Sequence, residues 1–161
     1  MPLRSLSHRV LHVLLFAGVF AVFSGCRSSA PPPPPPPEPP LTVTVVGGSD
    51  LNGGGNAAVL RIYQLAGDAN FQRAPVQAFW QSDEQVLGSE LLGAKREVLL
   101  FPESTEIVRI VLDEKTQFLA IAADLRDPDP DHWREIYPVS DVRGKAMAVV
   151  VGENRLFVRV E

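Results

Sequence analysis

The sequence predicts an all-β domain, a two-sheet β-sandwich of about eight strands with one or two short helices inserted after the second strand. Three observations carry this expectation. From Leu41 onward, short segments of apolar and β-branched residues recur with turn residues between them, at the spacing of roughly 8–12 residues that two-sheet folds show. Only the stretch after Gly67 shifts towards a helical period. No βαβ alternation and no internal repeat is evident, so a parallel α/β sheet and a solenoid are both disfavoured.

The elements follow in order. "LTVTVV" (41–46) is the first strand, and "AVLRIYQL" (58–65) the second, with Leu60 and Ile62 facing one way and Arg61 and Tyr63 the other. Between them "GGSDLNGGGN" (47–56) holds five glycines in ten residues. It is too long for a tight hairpin turn and reads as a flexible loop. Phe71, Val76, Phe79 and Trp80, then Val86, Leu87, Leu91 and Leu92, suit one or two short helices, with Pro75 in a first turn. Strands resume with "KREVLL" (95–100), a turn at Phe101-Pro102-Glu103-Ser104, and "TEIVRIVL" (105–112). "TQFLAIAADL" (116–125) is apolar enough for a central strand buried on both faces. "HWREIYPV" (132–139) reads as an edge strand closed by Pro138. "KAMAVVV" (145–151) and "RLFVRV" (155–160), joined around Gly152-Glu153-Asn154, form a C-terminal hairpin.

The residues before Leu41 are of another kind. Arg4, His8 and Arg9 precede the apolar run 10–23, and Ser24 and Gly25 lead into Cys26, the chain's single cysteine. That is the layout of a secretory signal over residues 1–25, too short for a comfortable membrane span. Phe23-Ser24-Gly25-Cys26 resembles the lipobox of bacterial lipoproteins, with Phe23 in place of the usual leucine. The resemblance implies that the Cys26 thiol receives diacylglycerol and that the freed amine is acylated after cleavage. Several acyl chains together anchor a protein stably where one chain does not. Arg27 stands where an aspartate would mark inner-membrane retention, so the resemblance implies the periplasmic face of the outer membrane.

Residues 26–40 then form a linker: seven consecutive prolines at 31–37, Glu38, and two more prolines. Such a run favours polyproline II, and ten of these residues span roughly 30 Å. A stiff spacer between lipid and domain fits better than a ligand for SH3 or WW domains, which are foreign to a bacterial envelope. The domain proper is expected over residues 41–161.

Charge and chemistry narrow the function. The chain carries 15 Lys+Arg against 19 Asp+Glu, and loss of Arg4 and Arg9 with the signal takes the net from −4 to −6. An acidic domain without a basic cluster is a poor nucleic-acid binder. The glycines at 53–55 lack the Lys-Ser/Thr of a phosphate loop. Asp127, Asp129 and Asp131 have the first spacings of a calcium loop, but His132 occupies the sixth position and Pro138 the twelfth. His132 is the only histidine left after cleavage, no Gly-x-Ser-x-Gly elbow is present, and Cys26 is committed to lipid. No catalytic, metal or cofactor residues are assigned, and no small-molecule substrate is expected.

Several segments together resemble one family. The lipobox, the Gly/Asn-rich loop before "VLRIYQL", "NFQRAPVQAFW" with "VLGSELL", "LLFPES" and "FLAIAADLRDPDPDHWREIYPV" occur in the order found in TssJ, the outer-membrane lipoproteins of type VI secretion systems. Ala120 and Glu103 stand where many members have glycine. The resemblance implies a transthyretin-like sandwich and a structural role: tethering the secretion membrane complex by binding the periplasmic C-terminal region of TssM, and through it TssL. It also implies that the loop between the first two strands contributes to that contact. Its side chains here are Ser49, Asp50, Leu51 and Asn52, followed by Gly53, Gly54, Gly55 and Asn56, with Leu51 as an apolar anchor at the tip. On that reading, removal of residues 50–55 weakens binding with little loss of stability. The alternative is an outer-membrane lipoprotein whose sandwich binds glycan or a small ligand, which requires an exposed platform built from Trp80, Trp133, Tyr63 or Tyr137.

Overall fold

The computed structural model describes residues 38–161. The signal segment, Cys26 and all but the last three residues of the proline spacer lie outside the described residues. Eight strands form two four-stranded sheets. The first sheet contains β1 (Leu41–Gly47), β4 (Thr105–Ile110), β7 (Ala146–Val151) and β8 (Leu156–Val160), in the order β4-β1-β7-β8. The second contains β2 (Ala58–Leu65), β3 (Leu91–Leu100), β5 (Phe118–Asp124) and β6 (Arg134–Pro138), in the order β3-β2-β5-β6. The expected two-sheet sandwich is therefore observed. All strand pairs are antiparallel except β1 with β7.

Period-two alternation sets the core. Leu41, Val43 and Val45 of β1, with Met147, Val149 and Val151 of the neighbouring β7, face Leu60 and Ile62 of β2 and Leu119, Ile121 and Ala123 of β5 in one buried cluster. β5 is buried on both faces from Leu119 to Ala123, because its other side meets a helical layer. That layer comprises α2 (Ala69–Arg73), α3 (Val76–Leu87) and a 3₁₀ turn (Gly88–Glu90). Two further one-turn elements, α1 (Leu51–Gly54) and α4 (Val139–Val142), sit between strands. Pro75 occupies the N-cap of α3, one residue before the expected first turn. Leu91 and Leu92, grouped with the helices by their spacing, belong instead to β3, where they pair with Leu65 and Gln64.

Under the helical layer Tyr63, Phe71, Phe79 and Trp133 are buried, and Phe79 meets Phe71, Tyr63 and Trp133 edge-on at ring separations of 5.4–5.6 Å. Trp133 lies just ahead of β6, and its carbonyl accepts from the Ala123 N–H of β5 at 2.9 Å. Arg134 follows with its guanidinium donating to the Ala74 carbonyl at 2.7 Å and to those of Phe71 and Gln72, which closes the exposed end of α2.

The turn between β3 and β4 holds a strained position. Glu103 has φ 60°, a left-handed conformation that costs a side-chain-bearing residue about 1–2 kcal/mol. Glycine is the residue that the family resemblance implies there. Glu103→Gly is expected to recover part of that strain, offset by glycine's greater freedom when unfolded. Thermal denaturation should show a rise of a few degrees, and a clear fall would count against the strain argument.

Candidate partner-binding site

The parallel pairing of β1 and β7 gives the sandwich two distinct ends. The chain enters beside the start of β1, where Glu38 pairs with Arg143 just ahead of β7. β1 then runs seven residues, roughly 20 Å, to the opposite end. There the β1–β2 loop (48–57) meets the β3–β4 turn (101–104), the segment 125–133 and the β7–β8 turn (152–155).

The loop is built rather than loose. Gly47 has no room for a side chain, since a Cβ would lie 2.3 Å from the Phe101 carbonyl oxygen. Its N–H donates to Ser104 O at 3.0 Å and its carbonyl accepts from Glu103 N at 2.9 Å. Gly48 N–H donates to Val151 O, then Asn52 and Gly53 N–H donate to Gly152 O and Glu153 O, at 2.8–3.1 Å. Asn52, Gly53, Gly54 and Gly55 all have positive φ, between 50° and 95°. A run of four such residues requires glycine at most positions, and asparagine is the side-chain-bearing type that adopts this conformation most readily. The turn closes with Gly55 and Asn56 N–H on the Leu51 carbonyl at 2.8 and 2.9 Å.

Asn52 latches the loop to the other sheet. Its Nδ2 donates to Ala57 O and its Oδ1 accepts from the Arg126 backbone N–H, both at 2.6 Å. The glycines therefore specify a left-handed turn held by hydrogen bonds, which corrects the expectation of a flexible loop. Leu51 corrects a second one. It is fully buried in the inter-sheet core, so it anchors the loop to its own domain and is no contact at the tip. Ser49, Asp50, Gly53, Gly54, Gly55 and Asn56 remain exposed, and Asn52 is half-buried.

Around this turn lie apolar side chains that local sequence did not single out. Leu99, Phe101 and Phe157 are each more than half exposed. Leu99 and Phe157 lie on strands, where alternation gives their face only once the partner sheet is known, and Phe101 lies in the turn after β3. A shallow pocket lined by Asn52, Val59, Leu99, Asp124 and Arg126 opens beside the loop. Burial pushes the Asp124 carboxyl above its ordinary range, with the charge of Arg61 offsetting part of the effect. The "DPDPD" segment is ordered by Asp129, which accepts from His132 Nδ1 at 3.0 Å and pairs with Arg155 at 2.9 Å. The His132 hydrogen bond, then that from the Asp131 N–H, holds Asp129 below the usual carboxylate value. Among the described residues no group of three acidic, histidine or cysteine side chains is placed to hold a metal ion.

A family model described as the type VI secretion lipoprotein (VasD, EvfM, TssJ) matches residues 39–155. The chain belongs to the TssJ family. Among solved structures it resembles the T6SS lipoprotein TssJ1 from Pseudomonas aeruginosa, with TM-score 0.67 and 28% identity over 76% of this chain and 98% of that one. It is also similar to a chain of a structure described as the type VI membrane complex, with TM-score 0.69 and 25% identity over 76% of this chain and 98% of that one. A chain in a structure described as the C-terminal domain of the T6SS protein TssM from EAEC has the same fold, with TM-score 0.65 and 24% identity over 75% and 98%. No curated protein matches the chain.

Proposed function

We propose that this TssJ-family lipoprotein anchors the type VI secretion membrane complex to the outer membrane. Lipid on Cys26 holds the periplasmic face, the proline spacer sets the standoff, and the β1–β2 turn binds the periplasmic C-terminal region of TssM, which links the anchor to TssL. One observation carries this reading. The rigid, exposed turn at Ser49, Asp50 and Gly53–Asn56 lies at the end of the sandwich opposite the tethered one, so the turn and the tether can be engaged at the same time. A pre-ordered loop also loses little entropy on binding. The likeness to a chain from a structure of the type VI membrane complex supports a partner within that complex.

The glycan-binding alternative lacks a platform among the described residues. Tyr63 and Trp133 are buried, and Trp80 and Tyr137 are half-buried.

Two variants test the proposal separately. Cys26→Ser should leave the domain folded, abolish sedimentation with outer membranes and stop secretion; normal secretion by the unacylated protein would refute the tether. Ser49→Arg adds a long side chain to the exposed turn, where the native hydroxyl makes no hydrogen bond among the described residues. It should weaken binding to the TssM periplasmic C-terminal region at least tenfold by calorimetry while the thermal midpoint moves by only a degree or two. Unchanged affinity would remove the turn from the interface.

A further inference from the structure

We propose that the uncovered outer face of the β4-β1-β7-β8 sheet is a second docking surface, shaped for an amphipathic α-helix of the same partner with acidic residues along its flanks. The inference rests on the TssM reading above and extends it to a surface that the turn does not include. Helices cover the outer face of the other sheet, but nothing among the described residues covers this one.

The register fixes what the face displays. Over most of its length the floor is small: Thr42 and Thr44 of β1 lie beside Ala146 and Ala148 of β7, and only at the turn end does Val46 lie beside Val150. Its walls are larger. Ile107 and Arg109 of β4 pair with Thr44 and Thr42, while Phe157 and Arg159 of β8 pair with Val150 and Ala148. Ile107 is 58% exposed, Phe157 55% and Val150 41%, high values for apolar side chains on a regular sheet. The wall strands stand three strand spacings apart, about 14 Å. A helix with its side chains is about 10–12 Å across, so one fits along the trough. A pocket lined by Ala148, Val150, Phe157, Val158 and Arg159 marks its deeper side.

Charge selects the occupant. On an acidic chain, the four strands carry Arg109, Arg159 and Glu106. Alternation puts Glu106 on the opposite face with its partner Val45, which leaves two arginines on this one, and neither has an ion-pair partner among the described residues. Glu161, just past β8, lies at the tethered end, where its N–H donates to Ala146 O. Arginines left free on either wall of an apolar trough complement a helix with carboxylates on both flanks, since a guanidinium fork binds carboxylate through two donors. The same charges disfavour a second copy of this chain, which would bring arginine walls together. The trough is continuous with the proposed turn, because Val46 and Val150 on its floor are the last residues but one of β1 and β7, which lead into the β1–β2 loop and the β7–β8 turn.

The test uses the lipidated chain in detergent with the TssM periplasmic C-terminal region as probe. Ala148→Trp, which fills the floor, and the double variant Arg109→Glu with Arg159→Glu should each lower affinity at least tenfold. The charge reversal should also flatten the salt dependence of binding, and circular dichroism should remain native. A photo-crosslinking residue at position 148 should capture a helical, acid-flanked segment of TssM; capture of a strand or loop would overturn the assignment of a helix. If Ser49→Arg weakens binding while both face variants bind as wild type, the face is no part of the interface and the turn reading stands. If the wild-type chain does not bind TssM at all, both fail together. If the charge reversal leaves TssM affinity intact but abolishes binding to phosphatidylglycerol vesicles, the face serves lipid and the proposal is overturned.

Discussion

Replacing Asp83 by alanine is expected to cost about 3–5 kcal/mol, the loss typical of breaking a buried charge network from one side. That is a large part of the roughly 5–15 kcal/mol by which domains are stable. Asp83 is only 6% exposed, yet it is the point on which the helical layer is fastened to the sheet. α3 is interrupted at Ser82, whose backbone leaves the helical region and turns Asp83 inward. One carboxylate oxygen accepts from Tyr63 Oη at 2.6 Å, Lys95 Nζ at 2.8 Å and Arg61 Nη1 at 3.2 Å. The other accepts from Lys95 Nζ and the Glu84 N–H, both at 2.9 Å. Without it the Tyr63 hydroxyl is stranded in an aromatic cluster, Arg61 of β2 keeps only Glu97 at 2.9 Å, and Lys95 of β3 keeps only the more distant Glu84 at 3.5 Å. Arg61 also lies over the Trp80 ring, 4.8 Å from its centre, so the damage reaches the helix directly.

The same carboxylate predicts an acid limit. Burial pushes the Asp83 pKa upward, but the hydrogen bonds from Lys95 and Tyr63 and the charges of Lys95 and Arg61 outweigh it, and the pKa falls below the ordinary carboxylate value. A group lowered on folding stabilises the native state above its unfolded value, near 3.9 for aspartate, and that contribution disappears as pH drops through the folded value. Asp83→Asn should therefore be less stable than wild type at pH 7, with the gap closing below about pH 4. Urea titrations across that range measure it. A gap that stays constant to pH 2 would place the stabilisation in shape rather than charge.

What the sequence made legible follows the range of each interaction. Alternation in "LTVTVV" and "AVLRIYQL" reveals β1 and β2 and their inward faces, because each strand shows its burial locally. "FLAIAAD" likewise betrays burial on both sides before any neighbour is known. Leu91 and Leu92 did not announce their strand, since two adjacent leucines fit a helix end as well as a sheet edge and pairing with β2 decides between them. The Asp83 network was hidden for a stronger reason. Its members lie 20, 22 and 12 residues from the aspartate and meet only once the helical layer folds back over β2 and β3. At the candidate site, glycine content located the turn correctly but was silent on rigidity. Gly47 is required by the approach of Phe101, 54 residues away, and Asn52 is latched to Arg126, 74 residues away.

Leu51→Ala is the second large effect expected, and it separates loop from anchor. The side chain is fully buried among core residues of both sheets, where truncation of leucine to alanine costs about 2–5 kcal/mol. For a domain of this size that lowers the melting temperature by on the order of 10 °C. It should also loosen the turn, because the Leu51 carbonyl holds the N–H groups of Gly55 and Asn56, and its position depends on the side chain being seated. If the turn binds TssM as proposed, affinity is then expected to fall although the side chain is buried within its own domain, with dissociation faster and amide exchange at residues 53–56 increased. Deletion of residues 50–55 removes the same core contact, so it cannot leave stability unchanged as a loose loop would allow. Ser49→Arg with Leu51→Ala makes the distinction measurable: the first should move affinity alone, the second affinity and stability together. A Leu51→Ala protein with unaltered melting but weakened binding would return Leu51 to the interface, and the buried anchor would have to be abandoned.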